Sequence, residues 1–160
     1  MQLESAQMLS SAHRILDGTL QKSLSKTGRK VNRWVLPDAR EQNLYVATHV
    51  NHPSAVWTRA SKDHYFWHVE LLKYMHKEYT KRYGKNHKTE TLIPYLEKAP
   101  NNLHKDGWVD PPPAMPDEYK VVGDSVISYR NYYKGAKASF ATWKHSQKPE
   151  WWGSHEIRTN

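Results

Sequence analysis

Between Ser61 and Gly84 the residues Tyr65, Val69, Leu72, Met75, Tyr79 and Tyr83 recur at steps of three or four. That period gathers them on one stripe of an α-helix but scatters them over both faces of a strand. It therefore predicts a helix over about 62–83, the longest in the chain. Ser61 can cap its first turn, and Gly84 can end it in the left-handed conformation that other residues avoid. The same kind of signal recurs upstream, where Leu3, Met8, Leu9, Ala12, Ile15 and Leu16 predict a helix over 2–16 stopped by Gly18. This helix has no capping residue ahead of it, so Met1 is expected to start inside it. Residues 17–37 read as a polar, basic connection with turn signals at Gly18 and Gly28, and a short helix is expected over 38–46. In THVNHPSAVWTRAS, Asn51 is the expected cap and Pro53 suits a first turn. Thr89 is the expected cap of a helix over 90–98, which Pro94 must kink or shorten.

Residues 99–123 hold most of the prolines, including Pro111-Pro112-Pro113 and Pro116, and are expected to be an extended loop pinned by Trp108, Met115 and Tyr119. Asp124 is placed to cap a last long helix over about 125–144, along which Val126, Tyr129, Tyr133, Lys137, Phe140 and Trp143 recur. Pro149 and Trp151-Trp152 follow. No segment alternates strictly between apolar and polar residues. The expected fold is therefore all-α: a single compact helical domain over 1–160, with a long proline-rich loop before the last helix and a basic, aromatic C-terminal helix and tail over about 124–152.

The chain carries seven tryptophans and ten tyrosines against two phenylalanines, with a net charge of +8. Tyr and Trp combine a flat apolar body with a polar handle, and so suit half-buried surfaces and stacking platforms as well as cores. Mixed with excess Lys and Arg, they favour an anionic partner with flat faces, which nucleic acid is. The absence of cysteine excludes disulfides and thiolate metal sites. No apolar run approaches the roughly 20 residues that span a membrane, and MQLESAQMLSSAHR lacks the pattern of a signal peptide. A cytoplasmic protein without a membrane partner is expected.

Three constellations stand out. From Lys120 to Lys148 the cations Lys120, Arg130, Lys134, Lys137, Lys144 and Lys148 face the single acid Asp124, with rings interleaved. On a helix Arg130, Lys134 and Lys137 make one ridge beside Tyr129, Tyr132 and Tyr133, with Trp143 and Lys144 further along. Such a ridge can grip phosphate while the rings stack on bases, or it can be the solvated face of an amphipathic helix. From Thr48 to Lys88 run many histidines and the cations Arg59, Arg82, Lys85, His87 and Lys88. The last four suit either a phosphate-binding rim or the negative end of a helix dipole. His64 and His68 are one turn apart, but neither a third ligand nor a supporting shell accompanies them, so no metal site is expected. The third constellation is Glu4 with Gln7, His13 and Arg14, where a carboxylate is either exposed or set in a cleft as an acid or base.

The segments QMLSSAHR, THVNHPSAVW, KEYTKRYGKNHK, PPPAMPDEYK and SYRNYYKGAKASFATWK resemble a family of small, mostly uncharacterised bacteriophage proteins over nearly the whole chain. Members of that family begin further upstream, with an Asp-Lys-His stretch whose histidine lies seven residues before the glutamate that matches Glu4. That spacing, and the tail rich in Trp, Tyr and Lys, are similar to the phage pyrimidine dimer DNA glycosylases of the endonuclease V type. The resemblance implies an all-helical repair enzyme of the infected bacterial cytoplasm that opens damaged or modified duplex DNA without a cofactor. In those glycosylases a free N-terminal amine attacks the sugar, forming an imine, and the glutamate assists. Only Glu4 matches a catalytic residue here; the upstream segment with the amine and the histidine is expected to be missing, and Leu3 stands where an arginine is expected.

Two functions follow from these residues: a DNA glycosylase with lyase activity that uses Glu4, or a DNA- or RNA-binding phage protein without chemistry. Glu4 separates them, because an enzyme needs it in a cleft with basic neighbours and a binder can leave it in water.

Overall fold

The computed structural model describes residues 1–25, 27–143 and 145–153, which form two compact units divided between Val109 and Asp110. The first unit is built on two antiparallel helices, α1 (Gln2–Asp17) and α4 (Lys62–Tyr83), the second of which has the bounds its stripe predicts. Ser61 accepts the His64 backbone N–H at its start, and Gly84 ends it with φ 64°. At one end of the pair His13 meets Tyr65, and at the other Gln2 donates to the Met75 carbonyl. The buried face of α1 is mostly small, with Ser5, Ala6, Ser10, Ser11 and Ala12, so Leu9 can lie close to Tyr65, Val69 and Leu72 in one core. Leu36, Leu44, Leu92, Leu96 and Leu103 complete that core. The stripe runs out before the helix does: Tyr83 is 62 % exposed.

The expectation of an all-α fold is corrected by a β-hairpin. Thr19–Leu24 (β1) and Lys30–Val35 (β2) pair antiparallel, from Thr19 opposite Val35 to Leu24 opposite Lys30. Its sequence does not alternate because neither face is buried; Leu20 and Leu24 are exposed on it, and only Ser23, Trp34 and Val35 are partly covered. Gly18 makes the turn from α1 into β1. A Cβ there would lie 2.4 Å from the Arg14 carbonyl oxygen and 3.2 Å from the Val35 carbonyl oxygen, both backbone atoms that cannot step aside. Gly18→Ala is accordingly expected to cost about 1–3 kcal/mol of stability, measured by urea unfolding.

The remaining elements of this unit are short. α2 (Arg40–Asn43) occupies part of the expected 38–46. α3 (Pro53–Thr58) is capped by the His52 ring, which accepts from the Ser54 N–H, so the cap is one residue later than Asn51. Lys88–Leu92 is a 3₁₀ turn and α5 (Ile93–Leu96) follows, with Pro94 in its first turn. Here too a histidine displaces the expected cap: His87 accepts the Thr89 N–H.

Two arginines fasten these pieces to α1. Arg14, 1 % exposed, spends all its donors: Nε on the Tyr45 carbonyl, Nη1 on the Trp34 carbonyl and on Glu41, and Nη2 on the Glu41 and Leu44 carbonyls. Arg40 holds Asp38 through both carboxylate oxygens, Asp17 at 2.6 Å and the His13 Nδ1 at 2.9 Å. A guanidinium only donates, so His13 Nδ1 accepts and its Nε2–H donates to the Tyr65 hydroxyl, which donates to the Leu96 carbonyl.

The second unit is organised by α6 (Ser125–Ala136). Asp124 caps it, accepting from the Ile127 N–H at 2.8 Å, and Asp110 accepts from the Ser125 N–H. Ser128, fully buried, donates to the Asp124 carbonyl and accepts the Val121 N–H, which ties the loop to the helix. The helix ends at Ala136 rather than 144: Gly135, a poor helix former, precedes Lys137, and a 3₁₀ turn over Ala138–Phe140 takes over. A short α7 (Glu150–Gly153) follows. The proline segment lacks regular structure apart from turns at 101–102 and 122–123 and a 3₁₀ turn at Asp117–Tyr119. No helix among the described residues is long and apolar enough to cross a membrane.

Candidate nucleic-acid interface

In the second unit, Arg130 on α6 and Lys137 just beyond its end each stand against aromatic rings. The Arg130 guanidinium lies 5.5 Å from the Trp151 ring centre. Trp151 is tilted against Trp152 at 5.4 Å, and Trp152 meets Trp143 edge-on at 4.8 Å. Lys137 Nζ stands 5.2 Å from the Tyr132 centre and 5.4 Å from that of Phe140. Tyr132 continues to Tyr119 on one side and Tyr133 on the other. Tyr119 reaches its place because Gly135 has no side chain; a Cβ there would fall 2.4 Å from the tyrosine ring.

A cation over a ring face keeps its charge while its stem is held in place, so it can meet a phosphate at less cost in side-chain entropy. Phe140 is 64 % exposed and Arg130 is exposed, and Tyr132, Tyr133, Trp143, Trp151 and Trp152 are half-buried. Trp151 and Trp152 are absent from the residues the sequence singles out for binding; the signal that could have found them is the Trp-Trp pair itself, in a tail already basic. Of those residues, Tyr129 serves the loop, its hydroxyl accepting from the Ala114 N–H at 3.4 Å. Lys134 lies on the same helix, half-buried, and Lys144 lies outside the described residues.

In the first unit the expected phosphate rim is divided. Arg82 is engaged by Glu78 at 2.7 Å, one helical turn away. His87 packs edge-on against Tyr79 and stacks at 6.0 Å on His76, and both histidines bond to the Thr89 hydroxyl. It is a structural joint rather than an exposed contact. Lys85 and Lys88 are exposed beyond it. Arg59 closes α3, with Nη1 buried and without a hydrogen-bond partner among the described residues.

His64 and His68 of this stretch are also joints. His64 donates from Nδ1 to the Trp57 carbonyl and accepts the Val109 N–H at Nε2. His68 Nδ1 bonds to Thr58, whose hydroxyl donates to the Ser54 carbonyl, so the ring is the donor. Burial pushes the His68 pKa down from 6.5 to about 4. His13 is pushed to about 4 as well, by burial and then by the charge of Arg40.

Glu4 stands apart from all of these. Its carboxylate is 73 % exposed and its ion pair is with the Met1 amine at 3.6 Å. Gln7 is half-buried, while His13 and Arg14 point into the networks described above, so the third constellation is not assembled as one site.

No family model matches the chain, and neither does any curated protein or solved structure.

Proposed function

We propose that this protein binds nucleic acid through its C-terminal unit, without chemistry of its own, as a phage DNA- or RNA-associated protein. The observation that carries the reading is the pairing of Arg130 with Trp151 and of Lys137 with Tyr132 and Phe140, which sets fixed cations among accessible flat rings. The cations supply attraction to phosphate without regard to sequence, and the rings supply contact to bases. The net charge of +8 acts in the same direction. The glycosylase reading asks that Glu4 face a cleft with basic neighbours, and its 73 % exposure supports binding instead.

Binding to a labelled duplex is expected to weaken about 40-fold between 50 and 200 mM salt if roughly three phosphates are neutralised. Arg130→Ala and Lys137→Ala should each weaken it several-fold and lower the salt slope by about one. Absence of binding at low salt would defeat the proposal. The non-catalytic half is checked on an abasic duplex treated with borohydride. No adduct dependent on Glu4 is expected, and an adduct that Glu4→Gln abolishes would restore the enzyme.

A further inference from the structure

The N-terminal unit holds a second group of indoles. Trp57, Trp67 and Trp108 form a triangle, with ring centres 5.6, 5.5 and 5.9 Å apart, and His64 stacks on Trp57 at 4.3 Å. Trp57 is the floor, only 8 % exposed, whereas Trp67 and Trp108 are 43 % and 48 % exposed. Burying Trp57 closes the core; it does not require two further indoles left half in water, and large rings on a surface mark contact sites.

The arrangement is fixed in advance. Residues 105–109 form a strap that carries Trp108, and it is pinned by five hydrogen bonds. The Lys105 carbonyl accepts the Lys62 N–H, the Gly107 carbonyl accepts the Ser61 hydroxyl, and the Gly107 N–H donates to Asp63. The Val109 N–H donates to His64, and the Val109 carbonyl accepts the Trp57 indole N–H. Gly107 makes the bend with φ 109°, which a side chain would oppose. Rings held this way lose little freedom on meeting a ligand.

The same unit holds an arginine with unmet capacity. Arg59 follows Trp57 by two residues at the end of α3, its Nη1 is buried, and no hydrogen bond, ion pair or ring contact engages it among the described residues. Burial lowers its pKa, so its charge is held at a cost that an anion would relieve. Flat rings joined by anions answer both features, and a nucleic-acid strand is such a ligand.

We infer that Trp67 and Trp108 form a stacking site for an unpaired nucleobase and that Arg59 takes a phosphate of the same strand. The inference rests on the nucleic-acid reading above and adds to it a preference for unpaired over paired strands.

The test compares labelled oligo(dT) with a duplex of the same length, using the full chain. Trp67→Ala and Trp108→Ala are each expected to weaken oligo(dT) binding about ten-fold while leaving duplex binding within two-fold. Arg59→Ala should weaken oligo(dT) binding several-fold. Trp67→Phe and Trp108→Phe, which keep a flat ring, should recover most of the loss; a merely structural role would lower both ligands together instead of oligo(dT) alone. Tryptophan emission of the wild type should be quenched by oligo(dT), and less so in Trp67→Phe. If the alanine variants bind oligo(dT) like the wild type while Lys137→Ala weakens both ligands, the stacking site is wrong and the nucleic-acid reading stands. If alanine and phenylalanine variants lose both ligands equally, base stacking is likewise refuted. If the wild type binds neither ligand at low salt, the broader reading falls and takes this one with it.

Discussion

Replacing Arg14 with leucine is expected to lower the stability of the N-terminal unit by about 3–5 kcal/mol, a large share of the roughly 5–15 kcal/mol that holds a domain folded. The magnitude follows from what the side chain satisfies. Its hydrogen bonds reach the Tyr45, Trp34, Glu41 and Leu44 carbonyls and the Glu41 carboxylate, which spread over β2, α2 and the chain after it. Removing the guanidinium strands several acceptors and leaves Glu41 facing only the Leu36 N–H and, at 3.5 Å, Arg33. Arg14→Lys should recover little, since an ammonium has three donors and no planar fork. Urea unfolding of the variants measures the loss directly. A change below about 1 kcal/mol for Arg14→Leu would mean that the carbonyls find water and that the clamp is not what joins these pieces.

The second large effect is acid sensitivity between pH 6.5 and 4. His13 and His68 have folded pKa values of about 4 against 6.5 in the free side chain, so the unfolded chain binds their protons first. Stability from these two rings is complete above pH 6.5 and is lost as pH falls towards 4, each displacement being worth roughly 3 kcal/mol. The geometry gives the same sign. A proton on His13 Nδ1 would face the Arg40 guanidinium, and His68 would carry a charge where it is 5 % exposed. The Asp17 and Glu41 carboxylates, held low by arginine and backbone donors despite burial, and Asp38, held near 2 chiefly by Arg40, extend the loss to still lower pH. Urea midpoints measured from pH 8 to 4 should fall throughout the window. His68→Gln, whose amide can still donate to Thr58, should flatten the curve; an unchanged slope in that variant would remove His68 from the account.

Legibility in the sequence tracked burial. Helix α4 could be read to the residue because its stripe is buried over most of its length and both ends carry capping chemistry. The hairpin could not, because period-two alternation is a record of one buried face and β1 and β2 have none. The spacing overextends the last helix for a related reason: Phe140 and Trp143 continue it, yet Phe140 is exposed and belongs to a separate turn. Within the candidate site, Arg130 and Lys137 were legible as charge on a helical face, but the rings that hold them were only partly so, since Trp151 arrives from another element. His13 and Arg14 misled in the opposite direction. Polar residues beside Glu4 suggested chemistry, and the structure spends both on joining α1 to its neighbours.

The hairpin also bears on the meaning of the charge. A two-stranded ribbon presents two open edges, and an open edge is a template on which another chain can pair and begin to aggregate. Here the exposed ribbon carries Lys22 and Lys30 among Leu20, Leu24 and Val31, and like charges on approaching copies repel before their edges can align. Part of the net charge of +8 is thus a guard against self-association, exerted through residues that need touch no ligand at all.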